Sequence, residues 1–287
     1  MTSSDRDAPS PVPAVPGAGP LEREAYDGLA PIYDYVMRHV DYVEWAEYVR
    51  SLLERHGDGV QRLIELACGT GNATLEFDRL GYDVAGYDAS PAMIDVARGK
   101  AETLRRDVAF AVRDLRRLGQ IGPVDAAVCL YDSFNYLLQP GDVDTALAEV
   151  WRVLTDGGLF IFDVCTEENS LRHFSDMRDA EEGPGFVYSR HSYYDREQRL
   201  QFNAFDIRYD EGPVHVRETH RQRIYRCDEL VDRIGRSGFD LLACYDGFSL
   251  RKGSEKANRV HFVLRRQSAA APSSPSPADR QEEAQGY

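Results

Sequence analysis

Lysine is nearly absent from this chain. Three lysines (100, 252 and 256) stand among 34 basic residues, so almost every cation is arginine, a sign of GC-rich coding rather than of function. Cations of either kind are outnumbered: 48 Asp and Glu leave a formal net charge of −14. A protein built on DNA or RNA carries a basic footprint that replaces phosphate counterions, so this balance argues against a nucleic-acid partner. No apolar run reaches the roughly 18 residues of a membrane span, so no membrane partner is expected. The first residues, "MTSSDRDAPSPVPAVPGAGP", lack a basic stretch followed by an apolar one. A secretory signal is therefore not expected, and the expected compartment is the cytoplasm. The five cysteines (68, 129, 165, 227, 244) form no C-x-x-C. In a reducing compartment they read as small core hydrophobes, and no metal is expected.

What is present suits one sizeable core: 43% of the 287 residues are hydrophobic. Residues 1–20 hold five prolines and almost no large apolar side chain, and residues 267–287 are similar, so both read as disordered tails. From 21 to 58 the pattern predicts a helical cap, in which Trp45, Val49, Leu52 and Leu53 recur on one helix face. Strands and helices then alternate. "RLIELAC" is a strand, "ATLEFDRL" a short helix and "DVAGYD" a strand. Ser90 and Pro91 cap a helix that runs to about Arg106. "VAFAVRD" and the uniformly apolar "VDAAVCLYD" are strands, and Leu147, Val150, Trp151 and Leu154 mark a helix before "LFIFDV". This rhythm predicts an α/β fold with a doubly wound, Rossmann-like parallel sheet. It breaks after Asp163. Residues 186–226 read as three antiparallel strands, followed by a helix (228–236) and the strands "FDLLACYD" and "RVHFVLR". The expected division is a core over 59–165 and 228–266, interrupted by an antiparallel cover over 166–227.

The last of the three cover strands carries an anomaly. In "VHVRETHRQRIY", Val214, Val216 and Ile224 alternate as one face should, yet Glu218, His220 and Gln222 share their parity. Either that face becomes wet or it looks into a site.

The first strand ends in "ELACGTGNAT", residues 65 to 74, where a doubly wound sheet binds its ligand beyond the strand ends. Gly69 and Gly71 let backbone approach a ligand, with Glu65 four residues before Gly69. A dinucleotide fingerprint needs a third Gly at position 74, which is Thr. The second strand ends in Asp88, suited to the hydroxyls of a ribose. The third ends in Asp114-Leu115, a carboxylate for an adenine amino group beside an apolar wall. These features suit a ligand with ribose, adenine and a zwitterionic tail, and no pyrophosphate.

In that order, "ELACGTGNATLEF", "GYDASPAMIDVAR", "VRDLRRL" and "FDVCT" resemble the successive motifs of class I S-adenosylmethionine (SAM)-dependent methyltransferases, over roughly residues 21–265. "YDGLAPIYDYVM" is similar to the entry helix of the family's small-molecule, natural-product-type branch. The resemblance implies SAM as cofactor, S-adenosylhomocysteine as product, and a seven-stranded sheet whose last strand is antiparallel. It implies that Tyr33 bonds the methionine carboxylate, with Tyr26 over the active site. Ala67 and Gly69 would pass the methionine portion and Asp88 would hold the ribose. Ala89 and Met93 would pack on the adenine, Asp114 and Leu115 would recognise its edge, and Leu130 would lie under the ribose or sulfonium. The insert resembles the substrate covers of small-molecule N- and O-methyltransferases.

Methyl transfer from a sulfonium is an in-line displacement that needs alignment, exclusion of water and sometimes removal of a proton. Asp132, Phe134, Asn135 and Tyr136 leave the fourth strand where the methyl should sit. Asp132 is read as a catalytic or cofactor contact, or as a turn residue. Phe134 and Tyr136 are pocket walls or core, and Asn135 a substrate contact or a cap. His220 is a general base or substrate clamp, or a structural histidine held by Glu218 or Gln222. The expected function is methyl transfer to N or O of a small molecule in specialised metabolism, and a homodimer is compatible with it. Alternatives are non-methyl-transfer chemistry on the same fold (a cyclase or decarboxylase) and a metal-assisted O-methyltransferase using Asp132, Asp163 and Asn169.

Overall fold

A computed structural model describes residues 19–211 and 215–268. The tails expected at 1–20 and 267–287 therefore fall almost wholly outside the described residues, as does Val214. The N-terminal segment begins with β1 (Leu21–Arg23), a 3-10 turn (Ala30–Ile32), α1 (Tyr33–Val36) and α2 (Tyr42–His56). The alternating region comprises β2 (Arg62–Leu66), α3 (Asn72–Arg79), β3 (Asp83–Asp88), α4 (Pro91–Leu104), β4 (Ala109–Val112) and β5 (Val124–Cys129). A 3-10 turn (Ser133–Tyr136), α5 (Pro140–Val153), β6 (Leu154–Cys165) and α6 (Glu167–His173) follow. Then come β7 (Asp176–Gly183), β8 (Phe186–Asp195), β9 (Leu200–Tyr209) and β10 (His215–Arg223). The chain closes with α7 (Cys227–Ile234), β11 (Phe239–Asp246) and β12 (Arg259–Arg266).

Seven strands form one sheet in the order β11-β12-β6-β5-β2-β3-β4. The β6-β5-β2-β3-β4 part is parallel, and β12 runs antiparallel to both its neighbours. This is the expected Rossmann-like sheet with its antiparallel last strand. Local chemistry starts its helices where the sequence places them: the Ser90 hydroxyl accepts from the Met93 N–H at the head of α4, with Pro91 at its first position. On one face, α5 and α7 bury Leu147, Val150, Leu230 and Ile234 against Phe160, Phe162 and Phe262. On the other, α2 and α3 bury Val49, Leu52, Leu53 and Phe77 against Leu63, Val128 and Ile161. A strand covered on both faces reads as a continuous apolar run, as β5 does.

The second sheet departs from expectation. It has five strands, β1-β10-β9-β8-β7, not three. β7, "DMRDAEEG", is an edge strand rich in charge; such edges resist pairing with other chains, and their polarity hides them in a sequence. β1 lies in the segment expected to be helical. Its three residues are exposed and pair in parallel with β10, Leu21 opposite Val216 and Arg23 opposite Glu218. Only a backbone edge supplied from about 190 residues away makes them a strand.

Candidate active site

The turn after β2 turns sharply. Ala67, Gly69 and Gly71 all have positive φ (54°, 55° and 79°), a region that favours glycine. The two glycines serve different ends. A side chain at Gly69 would meet nothing closer than Tyr33 Cε1 at 3.8 Å, so its face is open. A side chain at Gly71 would lie 2.7 Å from the Phe110 ring. The missing side chain at Gly71 makes room for Phe110. Gly86 does the same one strand over, where an added Cβ would lie 2.6 Å from Phe110.

Three carboxylates stand at or just beyond the ends of β2, β3 and β4. Glu65, 3% exposed, accepts from the Thr74 hydroxyl, and burial pushes its pKa up to about 8 against that bond. The Thr that breaks the dinucleotide fingerprint thus holds a buried acid. Asp88 accepts from the N–H groups of Gly69 and Ser90, each at 2.8 Å; burial raises its pKa while these bonds oppose the rise. Asp114 is less free than expected. Its two oxygens take the Arg116 guanidinium at 3.0 and 2.6 Å, and this pairing holds its carboxyl below the usual range. Leu130 is buried beside the turn, Met93 is buried beneath the head of α4, Leu115 is half-buried, and Ala89 is exposed.

The N-terminal segment lies over the turn. Asp34 accepts from Thr70 at 2.6 Å and Asn72 at 2.9 Å, and pairs with Lys100 at 2.6 Å. Tyr33 lines a small cavity of about 40 Å³ together with Glu65, Ala67 and Gly69. It also lines a larger one of about 450 Å³, shared with Tyr26, Asp132, Tyr136, His220 and Gln222. That cavity lies between the N-terminal segment, the ends of β5 and β6, and the inner face of the antiparallel sheet.

The "VHVRETHRQRIY" anomaly resolves here. Val216, Glu218, His220 and Gln222 are all buried on one face, while Arg217, Thr219 and Arg221 are exposed. Glu218 is not a substrate contact, which corrects its expected role. Its carboxylate accepts from the N–H groups of Tyr26 (3.1 Å), Gly28 (2.8 Å) and Leu29 (3.2 Å), and His220 Nε2 lies 2.7 Å away. It is a buried anchor for the N-terminal segment, with its oxygens fully engaged. His220 Nδ1 lies 3.0 Å from the Tyr136 hydroxyl, which receives the Tyr26 hydroxyl's hydrogen bond at 2.6 Å. Gln222 donates to an Asp132 carboxylate oxygen at 2.5 Å.

Asp132 and Tyr131 leave β5 with φ of 52° and 58°, a strained turn without glycine. The strain brings Asp132 onto Arg259 Nη2 at 2.6 Å, while Arg259 Nη1 donates to fully buried Asp163. The guanidinium also lies over Trp45 (5.2 Å) and Tyr131 (5.0 Å). Burial opposes its charge, and Asp163 and Asp132 outweigh burial, so its pKa stands well above the ordinary value. Arg259 was not singled out from the sequence; a lone Arg opening the last strand carries no local signal. It also pairs with Asp132 and Asp163, two of the three hard ligands of the metal-assisted alternative. Among the described residues no group of three or more His, Cys, Asp or Glu is placed to hold a metal.

Two further expectations are corrected. Phe134 is fully buried and stacked on Phe162 at 4.1 Å, so it is core, not cavity wall. Asn135 is fully buried; it donates to the Arg223 carbonyl at 2.7 Å and accepts from the Cys165 N–H at 3.0 Å, tying β6 to β10. A fully buried amide that does not line the cavity is not placed to meet a substrate.

The sheet order, the turn and the carboxylates at the strand ends meet known proteins at this point. The family described as "Methyltransferase domain" matches residues 63–158, from β2 into β6. A Bacillus subtilis (strain 168) protein provisionally named methyltransferase YqeM is 29% identical over 240 residues, 83% of this chain and 95% of its own length. Residues 63–158 match a methyltransferase domain, and most of the chain is similar to proteins named as methyltransferases. The dTDP-3-amino-3,6-dideoxy-alpha-D-glucopyranose N,N-dimethyltransferase of Streptomyces fradiae is 26% identical over 215 residues, 72% of this chain and 82% of its own. The fold is shared with the sugar N-methyltransferase KedS8 of Streptoalloteichus sp ATCC 53650, with a TM-score of 0.70 at 22% identity, covering 91% of this chain and 100% of that one. In this chain, Tyr26, Glu218, His220 and Arg259 all lie outside the matched residues 63–158.

Proposed function

We propose that the protein transfers the methyl group of SAM to a nitrogen of a small-molecule acceptor held in the 450 Å³ cavity. That cavity is the observation that carries the reading. Its volume suits a small ligand, its walls are mixed apolar and polar, and it adjoins the turn where SAM is expected. Nitrogen is favoured over oxygen by the sugar N-methyltransferase relatives, and a role in specialised metabolism accords with them.

SAM supplies an electrophilic methyl on a sulfonium, and the residues fit it. Gly69 has an open face, and each Asp88 oxygen accepts one backbone N–H and keeps a lone pair for a ribose hydroxyl. Glu65, Ala67 and Tyr33 line the next space, for the methionine portion, with Leu130 beneath. Tyr26, Tyr136 and Gln222 face the acceptor together with Asp132, which Arg259 and Gln222 fix, and Tyr33 borders both regions. The antiparallel sheet forms one wall of the cavity and serves as a cover over the acceptor.

Two measurements test this. Labelled SAM offered with panels of amines, amino sugars and phenols should label amines, with EDTA leaving turnover unchanged. Exclusive labelling of phenols would move the acceptor to oxygen, and loss restored by magnesium would revive metal assistance. Asp88→Ala should weaken SAM binding by roughly 10-fold or more, since a hydrogen bond to a charged group contributes ~1.5–3 kcal/mol. Unchanged affinity in calorimetry would remove the ribose assignment.

A further inference from the structure

His220 is 2% exposed, and both its ring nitrogens are already engaged. Nε2 faces Glu218 at 2.7 Å and Nδ1 faces the Tyr136 hydroxyl at 3.0 Å. The Tyr26 ring packs edge-on against the imidazole, centroids 4.4 Å apart, and Phe205 packs at 5.3 Å on another side. No nitrogen is left to meet a substrate directly. The expected base by contact is therefore unavailable, and any proton reaching His220 must come through a neighbour.

The order of donors follows from Glu218. A carboxylate accepting three backbone N–H bonds is held as an acceptor, so the neutral imidazole carries its proton on Nε2 and presents Nδ1 as a lone pair. Tyr136 then donates to Nδ1, and Tyr26 donates to Tyr136 at 2.6 Å. Among the described residues the Tyr26 oxygen ends the row, accepting no hydrogen bond, and it faces the cavity.

We propose that Tyr26, Tyr136, His220 and Glu218 form a proton relay, in which Tyr26 takes a proton from the acceptor and His220 stores it. This rests on the amine-methylating reading above. An aliphatic amine arrives mostly as ammonium at neutral pH and has no lone pair for the methyl until it loses a proton. The ammonium N–H bond breaks and its proton passes to the Tyr26 oxygen. The Tyr26 proton passes to the Tyr136 oxygen, and the Tyr136 proton to His220 Nδ1. Both phenols end neutral, and the imidazolium keeps its Nε2–H on Glu218. The freed amine lone pair then attacks the methyl. Burial holds both phenols well above the ordinary tyrosine pKa, which suits them to passing protons and not to ionising. Tyr26 is the catalytic member; Tyr136, His220 and Glu218 act through it as positioning residues.

The test has two arms. In the first, ¹⁵N-histidine-labelled full-length protein is studied by NMR without substrate, with His220 assigned from H220Q. The expected spectrum is the Nε2–H tautomer with a hydrogen-bonded Nδ1 whose shift changes in Tyr136→Phe. A proton on Nδ1, or no response to Tyr136→Phe, overturns the relay. In the second, turnover is followed on whichever amine the labelling panel yields. Tyr26→Phe and Tyr136→Phe should each lower kcat by about 10²-fold, the scale of general-base contributions, with SAM affinity and melting temperature kept. The wild-type proton inventory in mixed H₂O and D₂O should be curved, as several protons in flight require, and that of Tyr26→Phe linear. A Tyr26→Phe enzyme with near wild-type kcat overturns the proposal. Methylation of no amine would sink the functional reading while the first arm still decides the relay's geometry.

Discussion

Glu65 and Thr74 show how much a single residue's environment adds to its identity. In the sequence, Glu65 is an acid four residues before a glycine, and Thr74 is a missing third glycine. In the fold they are one buried pair, with the carboxyl's pKa lifted to about 8 by burial. The stability consequence has a definite sign. A carboxyl whose pKa rises on folding holds its proton longer in the folded chain. Its contribution is fully present below the unfolded value of 4.5 and is lost as pH climbs through about 8. At ~1.4 kcal/mol per unit this is on the order of a few kcal/mol. Melting temperature measured from pH ~5 to ~8 should thus fall more steeply in wild type than in Glu65→Gln. Parallel profiles would mean that the carboxyl is not buried as described. At this scale Glu65, Asp88 and Asp132 were legible as acids at strand ends, whereas Arg259 was not: the two carboxylates it serves lie 127 and 96 residues away.

At the scale of elements, the parallel strands and their helices were legible because each announces itself locally. β5 is apolar throughout, and α4 opens on Ser90-Pro91. β1 and β7 were not, because neither carries a buried face; they are strands only through the neighbours that pair with them. β10 was legible as a strand, and its polar parity as an anomaly, but the purpose of Glu218 was not. Its carboxylate ties three N–H groups of the N-terminal segment to the antiparallel sheet. Glu218→Ala leaves those donors with no partner, at ~1–3 kcal/mol for each that stays buried. Hydrogen exchange should therefore accelerate at Tyr26, Gly28 and Leu29 while β2 and β5 keep their protection. A parallel rise in β2 and β5 would show that the segment opens only with the whole fold.

For the whole molecule, two sheets and one N-terminal segment enclose a cavity that no single element contains. Ligand binding should therefore stabilise the assembly. Held at ~100 times its dissociation constant, S-adenosylhomocysteine should contribute about 2.7 kcal/mol, which raises the melting temperature by roughly 5–10 °C for a chain near this size. No shift with either S-adenosylhomocysteine or SAM at millimolar concentration would contradict the cofactor site. The sequence by itself determined the alternating strands and helices and the acids that end the strands, because periodicity, caps and the Gly-rich turn act over short stretches of chain; the count of seven strands came from the resemblance of its motifs to a known family. Only the tertiary structure decided that Gly71 serves Phe110, that Phe134 and Asn135 belong to the core, and that both ring nitrogens of His220 are taken up by Glu218 and Tyr136. Those outcomes are set by which buried polar groups meet across distant segments. Burial makes each unpaired donor or acceptor costly, so the fold, and not local spacing, chooses the partners.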